Sequence, residues 1–367
     1  MFKFATYISK TFFFTWITVV FGFLTLIGLL DSLANGGDIV ADGSGFAGTF
    51  KYMFLRAPVI FDRIFVFTLV VAMLLTFVKL IRQHELVALL GFGISATRQF
   101  LLLTPAVVIA SIASVLFIDI AMAPAVRSLQ AWGIGEYKVK NITPNNPLWI
   151  EDRGRIIRAT DRLGYNSLGN MKIFFRNDGG EIEKIWHVER ADFQDPNWTL
   201  TGVDELDLKD ADGETRYLKA LPGTHIWETN QNPTSIARLA AEPRDLSLSE
   251  MHNFSKRGNS GSKPSFAYEF WMMHRLTRPL AALILLIACA SLMQRTGRED
   301  TGDKTLILGL AMGFIFLIID GAMATFAASG GIAVLPAIAL PLIVFGIFGA
   351  FLPVSYTHLT LPTIYSV

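Results

Sequence analysis

Ionisable side chains within or beside long apolar runs are the residues best placed to do chemistry in this sequence. They are Asp31, Asp119, Arg275, Arg278 and Asp320. A charge near the centre of a bilayer costs roughly 2.5 to 3.5 kcal/mol unless it is paired or hydrated. Asp320 has apolar residues on both sides, so it either lines a polar cavity or gate or pairs with another charge between helices. We expect Asp31, Arg275 and Arg278 at the membrane interface.

Nothing in the sequence predicts catalysis or a metal centre. His187, His225 and His252 are scattered, without a second metal ligand at helical spacing and without a nucleophile motif. The Lys-Thr pair in 302–305 lacks the preceding glycine spacing of a phosphate-binding loop. We therefore predict no enzyme activity, no cofactor and no metal, and any ATP hydrolysis would fall to a separate subunit.

A short polar segment between two apolar runs could bind a partner. Leu86, Leu89 and Gly93 recur at helical spacing, with Arg82 and Glu85 on the polar side. This pattern is typical of a short amphipathic helix. Such a helix can lie on a membrane surface or dock into a groove of another protein, and spacing alone leaves both open.

The elements that would position these residues are membrane spans. Hydrophobic residues make up 52% of the 367-residue chain, and several long runs carry no Asp, Glu, Lys or Arg. Because a bilayer core needs about 20 apolar helical residues, we predict six spans. They contain 11–30, 64–78, 99–118, 279–294, 305–319 and about 334–353. A glycine-rich loop should follow the first span to about Arg56, the second should begin near Ala57, and Pro124 should kink or end the third.

The distribution of charge suggests an orientation. Lys3 and Lys10, then Lys79, Arg82 and Arg98, then Arg295, Arg298 and Lys304 would share one side of the membrane. The positive-inside rule places that side in the cytoplasm, so the insert between spans three and four should face outward. The net charge of +1 gives no reason to expect nucleic-acid binding.

The insert, residues 132–268, has the patterns of a β domain. Short extended runs flank Asp152-Arg153-Gly154 and the segment 177–180, and Asp-Gly suits the positive φ of tight hairpin turns. A further strand is expected over 198–203, and a turn at Asp212-Gly213. Short strands at this spacing predict an antiparallel sandwich, jelly roll or open barrel. The lone Cys289 lies in an apolar span and should be a buried, inert small side chain.

Several of these segments together resemble a known family. The chain is similar to the permease subunits of the lipopolysaccharide exporter, the LptF/LptG family, in three places. These are Arg82, Glu85 and Leu86 followed by Gly93, the join of span three to Pro124 and Arg127, and the run 266–279. The similarity extends over about 7–352, and the segment 246–254 resembles LptG more than its paired subunit. The resemblance implies six transmembrane helices with an inserted, jelly-roll-like periplasmic β domain.

The resemblance also implies roles for individual residues. The helix of about 82–96 would be the coupling helix that docks into the ATPase, with Glu85 as the main contact and Arg82, Leu86, Leu89 and Gly93 around it. Spans one and five would line the lipid cavity and its lateral gate, through Phe21, Phe23, Asp31, Gly309, Gly313 and Asp320. The glycine pair also permits close helix packing, although chance would give the same pattern.

Phosphate recognition is where the sequence departs from the family. Members carry basic residues late in span one, where this chain has Asp31 and no lysine. The phosphates of lipid A would then be held by Lys51, Arg56 or Arg127, or the head group would differ.

The resemblance implies an assembly in the inner membrane of a Gram-negative bacterium. Its members would be an LptF-like permease, an LptB-like ATPase dimer that uses ATP and Mg²⁺, and LptC-like and LptA-like bridge proteins that receive lipopolysaccharide. Residues 1–131 would form spans one to three, 132–268 the periplasmic β domain, and 269–353 spans four to six. Residues 354–367 are unlike the family's ending and are expected to be non-native. The alternative function is a membrane receptor whose outer β domain senses a ligand.

Overall fold

The computed structural model describes residues 2–83, 85, 102–137, 142–145, 147–177, 179–208, 218–229, 231–256, 263–296 and 302–357. The chain divides into two compact units. The first, the helical unit, comprises Met1–Leu30, Ala57–Ile118 and Phe270–Val367, and the second, the mixed unit, comprises Asp31–Arg56 and Asp119–Glu269. The mixed unit thus contains the predicted insert together with the segment that follows span one.

The structure contains several long apolar helices. The long helices are α1 (Phe2–Ala34), α3 (Gly45–Arg82), α4 (Thr104–Trp132), α7 (Ser265–Leu276), α8 (Arg278–Thr296), α9 (Gly302–Ala328) and α10 (Val334–Thr357). Within the described residues, four segments, in α1, α3, α4 and α9, are each long and apolar enough to cross a membrane. The pair α7 and α8 meets the same criterion together but is bent by 51°. Helix α10 is apolar over Val334–Ala350.

Pro58 was expected in the first turn of the second span, and Pro124 was expected to kink or end the third; the structure places both prolines inside long helices. A short helix, α2 (Gly36–Ala41), and the first turns of α3 from Gly45 occupy the expected glycine-rich loop, so Pro58 lies inside α3. Pro124 likewise lies inside α4, which continues to Trp132. An interior proline costs about 3 kcal/mol through one lost hydrogen bond and a steric clash. Burial along these helices offsets that cost.

The mixed unit carries a seven-stranded antiparallel sheet. Its strands are β1 (Leu148–Asp152), β2 (Arg155–Gly164), β3 (Ser167–Arg176), β4 (Ile182–Gln194), β5 (Asn197–Asp207), β6 (Leu218–Leu221) and β7 (His225–Trp227). The first six follow one another as a meander, and β7 pairs with β5. Both predicted hairpins are confirmed, with Asp152 opposite Arg155 and Arg176 opposite Ile182. The turn expected at 212–213 lies outside the described residues.

One face of this sheet forms the core of the mixed unit. Alternate residues of each strand are buried there around Trp198 and Trp227, whose rings lie 5.9 Å apart. Both indole N–H groups donate hydrogen bonds, to the Gln231 carbonyl and to Asp152 Oδ2. Helix α5 (Pro233–Ala240) joins this core through Ile236, Leu239 and Ala240. Helix α6 (Leu248–Lys256) follows it in the chain.

Candidate functional site

Asp31 at the end of α1 forms a buried ion pair with Arg56 of α3. Arg56 Nε donates to Asp31 Oδ2 at 2.7 Å, and the exposed fractions of the two side chains are 4% and 22%. The Tyr52 hydroxyl donates to the same oxygen, and Asn35 Nδ2 donates to Oδ1. Arg56 Nη1 also donates to the Tyr137 hydroxyl at 2.8 Å. The predicted gate carboxylate and one of the predicted phosphate contacts therefore neutralise each other.

Lys51 lies five residues before Arg56 on α3 and packs on an aromatic ring. Its Nζ is 4.0 Å from the centroid of the Trp132 ring, a distance typical of a cation–π contact. Trp132 Nε1 donates to Asp42 Oδ2 at 2.7 Å, and the Ser44 hydroxyl donates to the same oxygen. These hydrogen bonds, with a smaller contribution from Lys51, lower the pKa of Asp42. Lys51 is an exposed cation held in a defined place.

Arg127, the third predicted phosphate contact, lies among charges of both signs. Its Nε donates to the Ala123 carbonyl of its own helix, at 3.1 Å. It lines a small cavity together with Arg238, Asp245 and Glu250. Arg238 Nε is 3.4 Å from Glu250 Oε1. The cavity therefore presents no excess positive charge.

Among the predicted gate residues, the two glycines of α9 meet α3. A Cβ added at Gly309 would clash with the Leu74 side chain, and one added at Gly313 would lie 3.1 Å from Val70 Cγ1. The missing Cβ atoms at these two positions thus leave room for the Leu74 and Val70 side chains of α3. In α1, Phe23 packs edge-on against Phe67 at 5.5 Å, whereas Phe21 is 71% exposed.

A second buried ion pair joins α3 to the beginning of α8. Arg278 Nη2 donates to Asp62 Oδ1 at 2.6 Å, and the exposed fractions of these side chains are 4% and 0%. Arg278, which was expected at the membrane interface, is buried within the protein against Asp62. Asp62 was missed at the sequence level, although a carboxylate between Phe61 and Arg63 in an otherwise apolar stretch is a signal for pairing.

Asp320 of α9 pairs with a histidine of α7. His274 Nε2 lies 3.1 Å from both Asp320 oxygens, and the exposed fractions of the two side chains are 14% and 25%. Phe270 stacks on the imidazole ring with centroids 5.5 Å apart. Asp320 thus makes the pairing between helices that the sequence suggested, and it also lines a small cavity there. Sequence reasoning missed His274, because a histidine four residues before an arginine matches no known motif.

The predicted coupling segment is described only at its beginning. Arg82 ends α3, and Glu85 Oε1 accepts a hydrogen bond from the Tyr7 hydroxyl at 3.0 Å. Glu85 Oε2 is buried and has no hydrogen-bond partner within the described part of the chain. Leu86, Leu89 and Gly93 lie outside the described residues.

The β domain carries an open groove of about 500 Å³ that the sequence did not predict. It lies on the sheet face opposite the core, because residues adjacent in a strand point to opposite faces. Its lining is mostly apolar. The lining residues are Pro147, Trp149, Arg158, Lys172, Phe174, Ile185, His187 and Leu206.

Cross-strand register divides the groove into two parallel rows. Arg158, Lys172 and His187 are successive partners across β2, β3 and β4. Beside them, Phe174 pairs with Ile185, which pairs with Leu206. The two rows are two residues apart along each strand, so they lie side by side on the same face of the sheet. The first row is basic and the second is apolar.

Trp149 joins the two rows at the β1 end of the groove. Its ring stacks on Phe174 with centroids 6.3 Å apart and 24° between the planes, and Arg158 lies over it at 5.7 Å. Lys172 has no ion-pair partner among the residues that the structure describes. The groove can therefore hold an apolar chain beside an anionic group.

Comparison with known proteins agrees with this architecture. The family model for the lipopolysaccharide export system permease LptF/LptG matches residues 6–353. The chain belongs to the LptF/LptG family. The lipopolysaccharide export system permease protein LptG of Escherichia coli K12 is 25% identical over 333 residues, covering 86% of this chain and 87% of the relative. LptG of Haemophilus influenzae is 20% identical over 180 residues, or 48% of each chain.

Membership in the LptF/LptG family confirms the resemblance seen in the sequence, and the similarity to proteins named LptG agrees with its LptG-like segment. The match includes both the membrane-length helices and the β domain. In this LptF/LptG chain, three carboxylates of the long apolar helices, Asp31, Asp62 and Asp320, are each paired with a basic side chain. Asp119 of α4 instead accepts a hydrogen bond from the Leu248 backbone N–H at 2.6 Å.

Proposed function

We propose that the chain is one permease subunit of an ABC-type lipopolysaccharide exporter. It would extract lipopolysaccharide from the outer leaflet of the inner membrane and pass it to a periplasmic bridge. Hydrolysis of ATP with Mg²⁺ would take place in a separate LptB-like ATPase dimer. An LptF-like permease would pair with this chain, and LptC-like and LptA-like proteins would form the bridge.

The observation that carries this proposal is the groove on the β domain. Lipopolysaccharide combines acyl chains with phosphates, and the groove combines the apolar row of Phe174, Ile185 and Leu206 with the basic row of Arg158 and Lys172. Burying apolar surface is worth roughly 25 cal/mol per Å², so the acyl chains would supply most of the affinity. The cations would orient the head group.

The proposed topology has six spans, with α7 and α8 forming one broken span and α10 forming the last. The apolar length of α10, Val334–Ala350, supports this, since 17 helical residues extend about 25 Å. Under this topology the β domain lies in the periplasm. Phe21, exposed on α1, and the closely packed α3–α9 contact at Gly309 would belong to the cavity and its gate.

Glu85 is proposed to transmit the ATPase movement. Its Oε1 accepts from Tyr7 of α1, so a force on Glu85 would reach the first span directly. Its second oxygen lacks a partner within the described residues and could accept from a cation of the ATPase. Leu86 and Leu89 would pack beside it.

Photocrosslinking tests lipid transfer into the groove. A photoreactive amino acid replaces Phe174 in the purified complex in proteoliposomes, and the same residue at the exposed Glu228 serves as the control. We expect lipopolysaccharide adducts at position 174 that increase with ATP, and few at 228. Adducts that form equally without the ATPase would favour the receptor alternative, and an absence of adducts would refute a lipid role for the groove.

Charge reversal tests the coupling role. Glu85→Lys should abolish ATP-driven lipopolysaccharide release, because it places a cation where a basic side chain of the ATPase is expected. Glu228→Lys makes the same change on the β domain, where the Glu228 side chain is 77% exposed, and should leave release unchanged. Full release by Glu85→Lys would disprove the coupling assignment.

A further inference from the structure

A small cavity in the helical unit lies beside the break between α7 and α8. The two helices are bent by 51°, and Thr277 lies between them. Pro279 accounts for the break, because it has no N–H to donate and disfavours helical geometry at the residue before it. The Thr277 hydroxyl donates to the His274 carbonyl at 3.1 Å. Backbone of this kind is tolerated at membrane depth where it is buried in protein or lines a hydrated cavity.

Two residues that line this cavity each carry a buried nitrogen without a hydrogen-bond partner among the described residues. Arg278 Nη2 is bound to Asp62, but Nη1 has no hydrogen-bond partner among the described residues. His274 Nε2 faces Asp320, but Nδ1 likewise has none in that part of the chain. Leaving a buried polar group unsatisfied is costly, so native proteins rarely do it. His274, Arg278 and Asp320 all line the cavity, which has a volume of about 20 Å³.

The cavity has the size and chemistry for one water molecule. A water needs roughly 10 to 15 Å³ and two to four polar partners. Its oxygen can accept from Arg278 Nη1, while one of its hydrogens is donated to His274 Nδ1. The remaining walls are mostly apolar and include Val66, Phe316 and Ile338, so there is no room for a polar group larger than water.

The charges around the break favour water over an ion. Asp62 is paired with Arg278, and Asp320 faces His274. An anion in the cavity would face the Asp320 carboxylate, and a metal cation would face the guanidinium of Arg278.

We propose that the α7–α8 break holds a single buried water that bridges Arg278 Nη1 and His274 Nδ1. The water fixes the imidazole as the tautomer with its proton on Nε2, pointed at Asp320. It also completes a continuous hydrogen-bonded link from Asp62 on α3, through the break, to Asp320 on α9. The broken span is thus joined to two neighbouring helices by a polar chain with no unsatisfied member.

Water-edited solid-state NMR tests this site. The full chain, in complex with its partner subunits in liposomes, is labelled with ¹⁵N in its histidine rings, and His274→Gln identifies the His274 signals. We expect an unprotonated Nδ1 that receives magnetisation from bound water. A protonated Nδ1, or no transfer from water, would overturn the proposal. A signal that shifts when chloride is replaced by bromide would indicate an anion and would overturn it too.

Two variants localise the water. Arg278→Lys retains a cation opposite Asp62 but lacks the second guanidinium nitrogen, so the transfer to His274 should be lost. Ala281→Val fills the cavity from its wall without altering either ion pair, and it should have the same effect. Transfer that survives in a folded variant of either kind would place the water elsewhere and contradict the proposal.

Discussion

Replacing Arg56 should show whether this side chain neutralises Asp31 or serves a lipid phosphate. In Arg56→Gln, Asp31 loses the guanidinium but keeps its hydrogen bonds from Tyr52 and Asn35. Losing a hydrogen bond to a charged group costs about 1.5 to 3 kcal/mol, and breaking a fully buried pair costs about 3 to 5 kcal/mol. Because the Asp31 side chain is 22% exposed, we expect the lower range, about 2 kcal/mol.

The double variant Asp31→Asn/Arg56→Gln supplies the matched comparison. It removes both charges while keeping side chains of similar size, so no unpaired carboxylate remains. We expect it to recover more than half of the stability lost in Arg56→Gln. The free energy of unfolding is measured in mixed detergent micelles, and a double-mutant cycle gives the coupling between the two residues.

Lipopolysaccharide release by the same variants separates the two roles. If Arg56 acts only on Asp31, the double variant should regain release together with stability. Additive stability losses in the two single variants would show that Asp31 and Arg56 are not coupled. A cost below about 0.5 kcal/mol for Arg56→Gln would also refute a stabilising pair, because such values are typical of exposed ion pairs. Recovered stability without recovered release would assign Arg56 a direct contact with the lipid.

Three further predictions follow from single contacts. Asp62→Leu alone should cost about 3 to 5 kcal/mol of unfolding free energy, whereas Asp62→Leu/Arg278→Met should recover most of it; additive losses in micelle unfolding would contradict this. Gly309→Ala should cost about 1 to 3 kcal/mol through overpacking against α3, whereas Gly22→Ala, with no atom near the added Cβ, should be neutral or stabilising in the same assay. Arg190 and Ser167 donate hydrogen bonds to the Asp192 carboxylate, and these bonds lower the pKa of Asp192 below its ordinary 3.8. The stability that ionised Asp192 contributes is therefore present above pH 3.8, and it is lost as the pH falls through the lowered pKa. Asp192→Asn should change tryptophan-monitored unfolding only where the carboxylate is ionised, and a difference that grows at lower pH would be inconsistent with it.

The sequence predicted those parts of the fold that depend on local pattern. Both hairpins were found because Asp152-Arg153-Gly154 and the segment 177–180 have turn chemistry, and Gly154 takes a φ of +77° as such turns require. The apolar runs were found because a span needs only length and an absence of charge. Pro58 misled the prediction because its local preference was outweighed by burial along α3.

The pairings between distant residues could not be predicted. Asp62 and Arg278 are separated by 216 residues, and no local pattern identifies which charge meets which across a helix bundle. The β-domain groove depends on register, because a slip of one residue would turn Lys172 and Phe174 toward the core face. Sequence reasoning named Asp31 and Arg56 in separate roles, since only the folded chain brings them within 2.7 Å.

The pairing of charges bears on where an anionic head group would bind. Positive charge that is already balanced by a carboxylate offers little net attraction to a phosphate, and Arg56 and Arg278 are balanced in this way. Lys51 on its tryptophan is exposed, and Lys172 in the groove has no ion-pair partner among the described residues. Late in the first span, where the family is expected to carry basic residues, this chain has a neutral Asp31–Arg56 pair instead. We therefore expect Lys51→Gln and Lys172→Gln each to weaken crosslinking of a phosphorylated lipid. The double variant Asp31→Asn/Arg56→Gln, which removes a balanced pair of charges, should weaken this crosslinking less.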